Sequence, residues 1–477
     1  MKGGKGMITR RRFNMGLAGA LLVGGLGIPK GFANEKSEWD TLPTPPLLEN
    51  ESNEKGYVKY TLNVQQGMYE YFTGVKVPSL GYNGNILGPT LKAKKGDIVE
   101  IKVKNFLKEE TTVHWHGMVV PGEMDGGPHQ VVSPNGSEWT ARFKVEQQAA
   151  TLWYHPHGIG TTASQVYGGL GGLFIVEDEN RLNLPNEYGV DDIPLVIQDK
   201  RFSQKGDLLY LTNMNDIMYG MLGNKVLVNG VIEPKKTIPR GKVRFRILNA
   251  SNARSYNLKF NNKLPFVIIA SDGGLLEKPI KVNDVLLSPG ERVEIVADFS
   301  EFDEGSEILF GDRGYNFLTL KVGKKGKRYE IPTRLIDIDK ISEKDVVRVR
   351  EFVLSGLGHM VTINGKQFQM NRIDENTKIG TTEIWRVSVR MGMHGMMGGG
   401  RNSIIHNFHA HGVLFQVLKR NGRKPTGHEQ GWKDTIALRN GDTVDLIMNF
   451  RKKGVFMYHC HILEHEDNGM MGQFLVS

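Results

Sequence analysis

Four short motifs concentrate the residues capable of chemistry. They are Thr112-Val113-His114-Trp115-His116-Gly117, Trp153-Tyr154-His155-Pro156-His157-Gly158, His406-Asn407-Phe408-His409-Ala410-His411-Gly412 and His459-Cys460-His461-Ile462-Leu463-Glu464-His465, the last followed by Met470 and Met471. Most of the chain's 14 histidines lie in them, and each motif contains a His-X-His pair. On a strand, residues i and i+2 face the same way with Cα atoms about 6–7 Å apart, so one pair can serve one ion or two adjacent ions. Imidazole suits copper, zinc, iron and nickel. Eight paired imidazoles exceed what one ion accepts, which predicts a polynuclear cluster. A single pair could be a chance feature of an exposed strand or a lone zinc site; four pairs in one chain argue against both.

The fourth motif adds a second site. Cys460 is the only cysteine, which excludes an intramolecular disulfide and any zinc site built on paired cysteines. Lying between His459 and His461, its side chain is expected on the opposite face. A thiolate with two imidazoles and a long axial thioether is the blue-copper electron-transfer arrangement. His465 and Met470 lie on the same loop, and His406 is the imidazole left once the eight paired histidines are assigned to the cluster. Cys460 therefore reads as a ligand and an electron bridge to His459 and His461, not as a nucleophile.

These motifs must be held by a scaffold, and the sequence specifies one. A chain of 477 residues suggests about three domains. From residue 57 the texture is short alternating segments, such as YVKYTLNV, DIVEIKVKNF, EWTARFKVEQ, KVRFRILNAS and ERVEIVADFS, separated by Gly, Asn and Pro. That pattern predicts an all-β chain of sandwiches or barrels. We divide it into residues 55–183, 190–325 and 346–477. The polar, Pro-rich residues 34–54 form a linker or wrapped arm, and the charged residues 321–345 are a connector.

The N-terminus has the form of an export signal: basic Arg10-Arg11-Arg12, a Gly-rich apolar stretch from Met15 to Ile28, and small residues ending near Ala33. Thr9-Arg10-Arg11-Arg12-Phe13 fits a twin-arginine signal, read by its export machinery. We expect cleavage near Ala33 and a periplasmic mature protein without stable membrane insertion. Residues 1–33 hold six basic residues and no acid, so their removal lowers the net charge from +9 to +3. The basic excess is therefore mostly an address, and nucleic acid is not an expected partner.

Together the motifs make the chain resemble a bacterial multicopper oxidase of the laccase and copper-efflux-oxidase group, over about residues 55–477. Weaker matches are Asn229-Gly230, Arg244-Phe245-Arg246-Ile247-Leu248-Asn249-Ala250, Ser271-Asp272-Gly273-Gly274 and Trp432-Lys433-Asp434-Thr435. The resemblance implies three cupredoxin-like Greek-key β-sandwich domains and four copper ions, with a trinuclear cluster between the first and third domains. It implies that His406, Cys460 and His465 bind a type 1 copper, with Met470 axial. His114 and His409 would bind the type 2 copper. His116, His155, His157, His411, His459 and His461 would bind the type 3 pair. Asp125 and Glu466 match acids that assist proton delivery during the four-electron, four-proton reduction of O2. Two departures stand out. Asn407 replaces the usual Pro, at a position that does not ligate. Asn402 and Ile404 occupy the positions where related efflux oxidases carry an acid and a Met that dock Cu(I), so that site is not expected here.

Upstream of the third motif, Met391, Met393, His394, Met396 and Met397 crowd a Gly-rich segment. Thioethers are soft ligands that favour Cu(I), and we read the segment as a Cu(I) substrate loop. The expected function is oxidation of Cu(I), and of phenolic or aromatic-amine donors, coupled to reduction of O2 to water, in copper tolerance. The alternatives are a laccase with organic physiological donors and a non-catalytic, copper-sequestering cupredoxin scaffold. His129, His359 and His428 are expected to serve hydrogen bonding.

Overall fold

A computed structural model describes residues 39–180, 182–313, 315–390 and 405–477. The proposed export signal, Asn402, Ile404 and the segment from Met391 to Met397 lie outside the described residues. Within those residues the chain is almost entirely β, and no helix exceeds seven residues. No described helix is long and apolar enough to cross a membrane.

Alternation builds the sheets. Along Tyr57–Phe72, Val58, Tyr60, Leu62 and Val64 are buried while the intervening residues are half exposed. That is the period-2 pattern of a strand with one face on a core. The strand pairs in parallel with Ile98–Asn105 and antiparallel with Val75–Tyr82. Six sheets form in all among the described residues. Two four-stranded sheets enclose a first apolar core that includes Leu62, Ile101, Trp115, Leu152 and Phe174. Eight- and five-stranded sheets enclose a second around Leu195, Phe245, Phe260, Ile295 and Phe310. Six- and five-stranded sheets enclose a third around Phe352, Trp385, Phe408, Leu446 and Phe474. Burying such side chains contributes roughly 1.5–3 kcal/mol each.

The described part of the N-terminal arm lies against the second sheet pair. Thr41 and Leu42 donate their amides to the Lys235 carbonyl, and Leu42 is buried in the second core.

The histidine strands lie side by side in two different sheets. His114–His116 runs antiparallel to Ala150–His155, with His114 opposite His155. His406–Ala410 runs antiparallel to Gly454–His459, with His409 opposite His459. Only the first motif keeps both paired histidines on a strand. In the others, His157, His411 and His461 fall just past a strand end.

Candidate metal centre

All ten motif histidines and Cys460 are essentially fully buried. Their ligand atoms fall into compact groups: His116, His155 and His461; His157, His411 and His459; His114, His116 and His409; and His406, Cys460 and His465. The paired histidines separate. His155 and His157 join different triads, as do His409 and His411, and His459 and His461. Each of these His-X-His pairs thus spans two sites, and the first two triads draw ligands from both halves of the chain.

Hydrogen bonds assign the ring protons. Nδ1–H donates to a carbonyl in His114 (Asp125 O, 2.9 Å), His155 (Pro156 O, 2.7 Å), His409 (Asp434 O, 2.8 Å) and His459 (Cys460 O, 3.1 Å), and to a carboxylate in His411 (Asp125 Oδ2, 2.7 Å). Nε2 of these rings then carries a lone pair. His116 is reversed: its Nε2–H donates to Asp434 Oδ1 at 3.0 Å, and its Nδ1 faces His155 Nε2 at 3.4 Å.

The inward lone pairs crowd together. His459 Nε2 lies 3.0 Å from both His157 Nε2 and His411 Nε2. Nε2 of His114 and of His409 has no hydrogen-bond partner. Acceptor lone pairs that converge in a buried site repel unless a cation lies among them. This donor set fits copper or zinc, which imidazole binds readily.

Burial holds eight of the ten motif rings neutral. It is the main cause that pushes His157, His461 and His406 down to about 3 and His465 to about 4, and His116, His155, His409 and His411 well below the usual imidazole range. Neutral imidazole is the metal-binding form. Burial pushes the Cys460 thiol up to about 12, so ligation there must release a proton.

At the thiolate site, Cys460 Sγ lies 3.6 Å from His406 Nδ1. His465 Nε2–H donates to the Met218 carbonyl at 3.1 Å, which turns its unpartnered Nδ1 toward the site. Met470 is fully buried in the core that contains Cys460. Its carbonyl accepts from the Cys460 amide, and its amide donates to the His465 carbonyl. Asn407 anchors the site without ligating. Its Oδ1 accepts from the His461 amide at 2.6 Å, and its Nδ2–H donates to the Pro289 carbonyl at 2.7 Å, tying the ligand strand to the second sheet pair.

The two predicted acids lie beside the cluster. Asp125 Oδ2 accepts from His411, and its Oδ1 is buried without a partner. Gly126 makes this placement possible: at φ +77, a Cβ there would lie 1.7 Å from the Val113 carbonyl. Glu466 faces His459 Nδ1 at 3.1 Å and His157 Nδ1 at 3.6 Å. Burial opposes its ionisation, yet His157 and His459 outweigh that and hold it at about 2.

Family models described as multicopper oxidase match residues 63–181, 211–306 and 330–477. The chain is 44% identical to the multicopper oxidase mco of Staphylococcus aureus over 91% of its own length and 92% of that protein.

The chain belongs to the multicopper oxidase family.

It is an all-β oxidase of cupredoxin sandwiches, and its cofactors are copper. The crystal structure of a laccase from Pediococcus acidilactici superimposes with a TM-score of 0.86 at 38% identity, covering 92% of this chain and 94% of that one. The oxidase is also 35% identical to the cell division protein FtsP of Escherichia coli K12, over 98% of this chain and 99% of that protein.

Of the remaining histidines, His129 pairs with Gln473 at 2.9 Å, His359 with Asn468 at 2.7 Å and His428 with Glu291 at 3.3 Å. Sequence reasoning assigns no role to Asp434, Thr435 or Arg292, which touch the cluster histidines or each other. A signal is present in Trp432-Lys433-Asp434-Thr435, but a motif does not say which ring it meets.

Proposed function

We propose that this oxidase takes electrons one at a time at a type 1 copper held by His406, Cys460, His465 and Met470. The cluster histidines would hold three further coppers, which would supply the reduction of O2 to water. His114 and His409 hold the type 2 copper. His116, His155 and His461 hold one type 3 copper, and His157, His411 and His459 the other. Bound copper supplies the one-electron redox steps and the binding and reduction of O2. One observation carries the reading: Cys460 Sγ meets His406 Nδ1, while its chain neighbours His459 and His461 belong to the two triads. An electron leaving the thiolate crosses only a short length of backbone to either triad.

Reducing O2 to two waters consumes four protons, and buried carboxylates are the local groups able to relay them. The unpartnered Oδ1 of Asp125 and the ionised carboxylate of Glu466 accept and pass on those protons on the two sides of the His157–His411–His459 triad.

The donor of this reading is Cu(I), in a copper-tolerance role in the periplasm after twin-arginine export. Soft ligands support it. Met391, Met393, His394, Met396 and Met397 precede His406 in sequence. Met218, whose carbonyl holds His465, has Sδ packed beside Gly358. Met214 and Met360 are exposed on the short helices Met214–Tyr219 and Gly358–Met360, which pack together. Similarity to a laccase favours a second reading, in which phenols or aromatic amines are the physiological donors. Similarity to the cell division protein FtsP raises a role in cell division; the complete ligand set favours the oxidase.

The test is steady-state O2 uptake by the mature, copper-loaded chain with Cu(I) and with a phenol, repeated on a variant lacking residues 391–400. We expect four coppers per chain and faster Cu(I) oxidation that the deletion slows. Failure to bind four coppers, or to consume O2 with either donor, overturns the oxidase reading. Unchanged Cu(I) kinetics in the deletion variant overturns the loop's role.

A further inference from the structure

His116 is the exception among the cluster rings whose tautomer hydrogen bonds define: it offers Nδ1 inward where His114, His155, His409, His411 and His459 offer Nε2. The cause is Asp434. Its Oδ1 accepts from His116 Nε2–H at 3.0 Å and from the Thr435 hydroxyl at 2.8 Å. Its backbone carbonyl accepts from His409 Nδ1–H at 2.8 Å. One residue therefore sets the tautomers of two rings in the same group.

Asp434 is itself clamped. Arg292 donates from Nη1 to Oδ1 at 2.7 Å and from Nη2 to Oδ2 at 2.6 Å. The other guanidinium hydrogens go to the carbonyls of Thr151, Gly290 and Asp272, each at 3.0 Å. All five donors of Arg292 are thus used, which leaves it one orientation. Arg292 and Asp434 are both fully buried. Gly117, which follows His116, allows the approach: a Cβ there would lie 2.6 Å from both Asp434 Oδ2 and Arg292 Nη2. His116 belongs to the first sheet pair, Arg292 to the second and Asp434 to the segment between two strands of the third.

We propose that Asp434, clamped by Arg292, is a positioning residue of the cluster: by taking the Nε2 proton of His116 it commits that ring's Nδ1 to metal. A carboxylate paired to a guanidinium only accepts, so the proton cannot sit on Nδ1. The proposal rests on reading the cluster as a copper site, and its test separates the two.

In the full mature chain, Asp434→Asn keeps the shape and inverts the hydrogen bond. With its oxygen at the Oδ2 place, the amide keeps the Arg292 Nη2 bond, gives up the Nη1 bond and donates from its NH2 at the Oδ1 place to His116 Nε2. That ring then accepts at Nε2 and carries its proton on Nδ1, toward the metal. Nitrogen-15 signals of the copper-free chains read the tautomer directly. We expect His116 protonated at Nε2 in the native chain and at Nδ1 in the variant. We also expect copper at the cluster to be held about 10- to 100-fold less tightly, with the blue thiolate band retained. Loss of packing alone would lower the melting temperature without moving the tautomer. Nδ1 protonation of His116 in the native chain, or native copper retention in a folded variant whose His116 carries its proton on Nδ1, overturns the proposal. The native-chain spectrum decides even where the variant does not fold. Failure of the native chain to take up cluster copper, with His116 still protonated at Nε2, overturns the copper reading, and with it the metal-directed role of Asp434.

Discussion

His157 and His459 stand 302 residues apart in sequence, yet their Nε2 atoms lie 3.0 Å apart. Each ring comes from a different sheet pair, and His459, whose Nδ1–H donates to the Cys460 carbonyl, presents a lone pair at Nε2. Glu466 holds both from behind, facing Nδ1 of each. These groups, drawn from two distant segments, join His411 in a site where the lone pairs of His411 and His459, 3.0 Å apart, repel unless a cation lies between them.

Copper should therefore join the first and last sheet pairs energetically. A ligand present at 100 times its Kd stabilises the folded chain by about 2.7 kcal/mol. Calorimetry should show a higher melting temperature for the copper-loaded chain than for the chelated one. Equal melting temperatures would deny that metal binding at this seam is linked to folding.

The copper-free chain should be acid-labile. Burial lowers the folded-state pKa of His157, His461 and His406 to about 3 and of His465 to about 4. The unfolded chain takes up these protons near 6.5. A depressed folded value means stability is fully present above 6.5 and is lost as pH falls toward 3–4. The loss is about 1.4 kcal/mol per such histidine for each pH unit in that window. Melting temperature against pH is the measurement; a flat profile between pH 7 and 5 would contradict it.

Cys460→Ser should abolish the blue absorption and the turnover, because the hydroxyl is a far poorer copper ligand than the thiolate. The side chains are nearly equal in size, so the fold should survive, with a loss in the copper-free chain of about 1–3 kcal/mol for burying the hydroxyl. A serine variant that still turns over would remove the thiolate from the electron path.

Gly126→Ala should be strongly destabilising. The added methyl would meet the Val113 carbonyl at 1.7 Å, at a φ of +77. The turn must open, and Asp125 must leave His411. We expect a loss of at least about 2 kcal/mol together with lower O2 turnover. A variant with native stability would mean that the loop accommodates the methyl without moving Asp125.

Much of the site is legible in residue types and spacing. Four His-X-His pairs and a lone cysteine between two histidines specify the donor atoms, and alternation specifies strands. The pairing logic is less legible. A strand places i and i+2 on one face, which leaves open whether a pair shares one ion or serves two adjacent ones. The structure separates them, because His157, His411 and His461 lie past strand ends, where the backbone is free to turn. Asn407, at a position that does not ligate, reads in the sequence as a change of no consequence for the site. Its amide in fact anchors His461 and reaches the second sheet pair, a contact invisible without knowing what packs opposite.

The sequence by itself determined the chemistry: which atoms can bind copper, that one thiolate is available, and that the scaffold is strands. These depend on side-chain identity and local periodicity, which are properties of neighbours in the chain. Tertiary structure alone decided which rings face one another, which nitrogen each presents, and which carboxylates stand behind them. His116 turns Nδ1 inward only because Asp434 and Arg292, far away in sequence, are packed against it. A tautomer is set by the hydrogen bond on the other side of the ring, and that partner is supplied by folding.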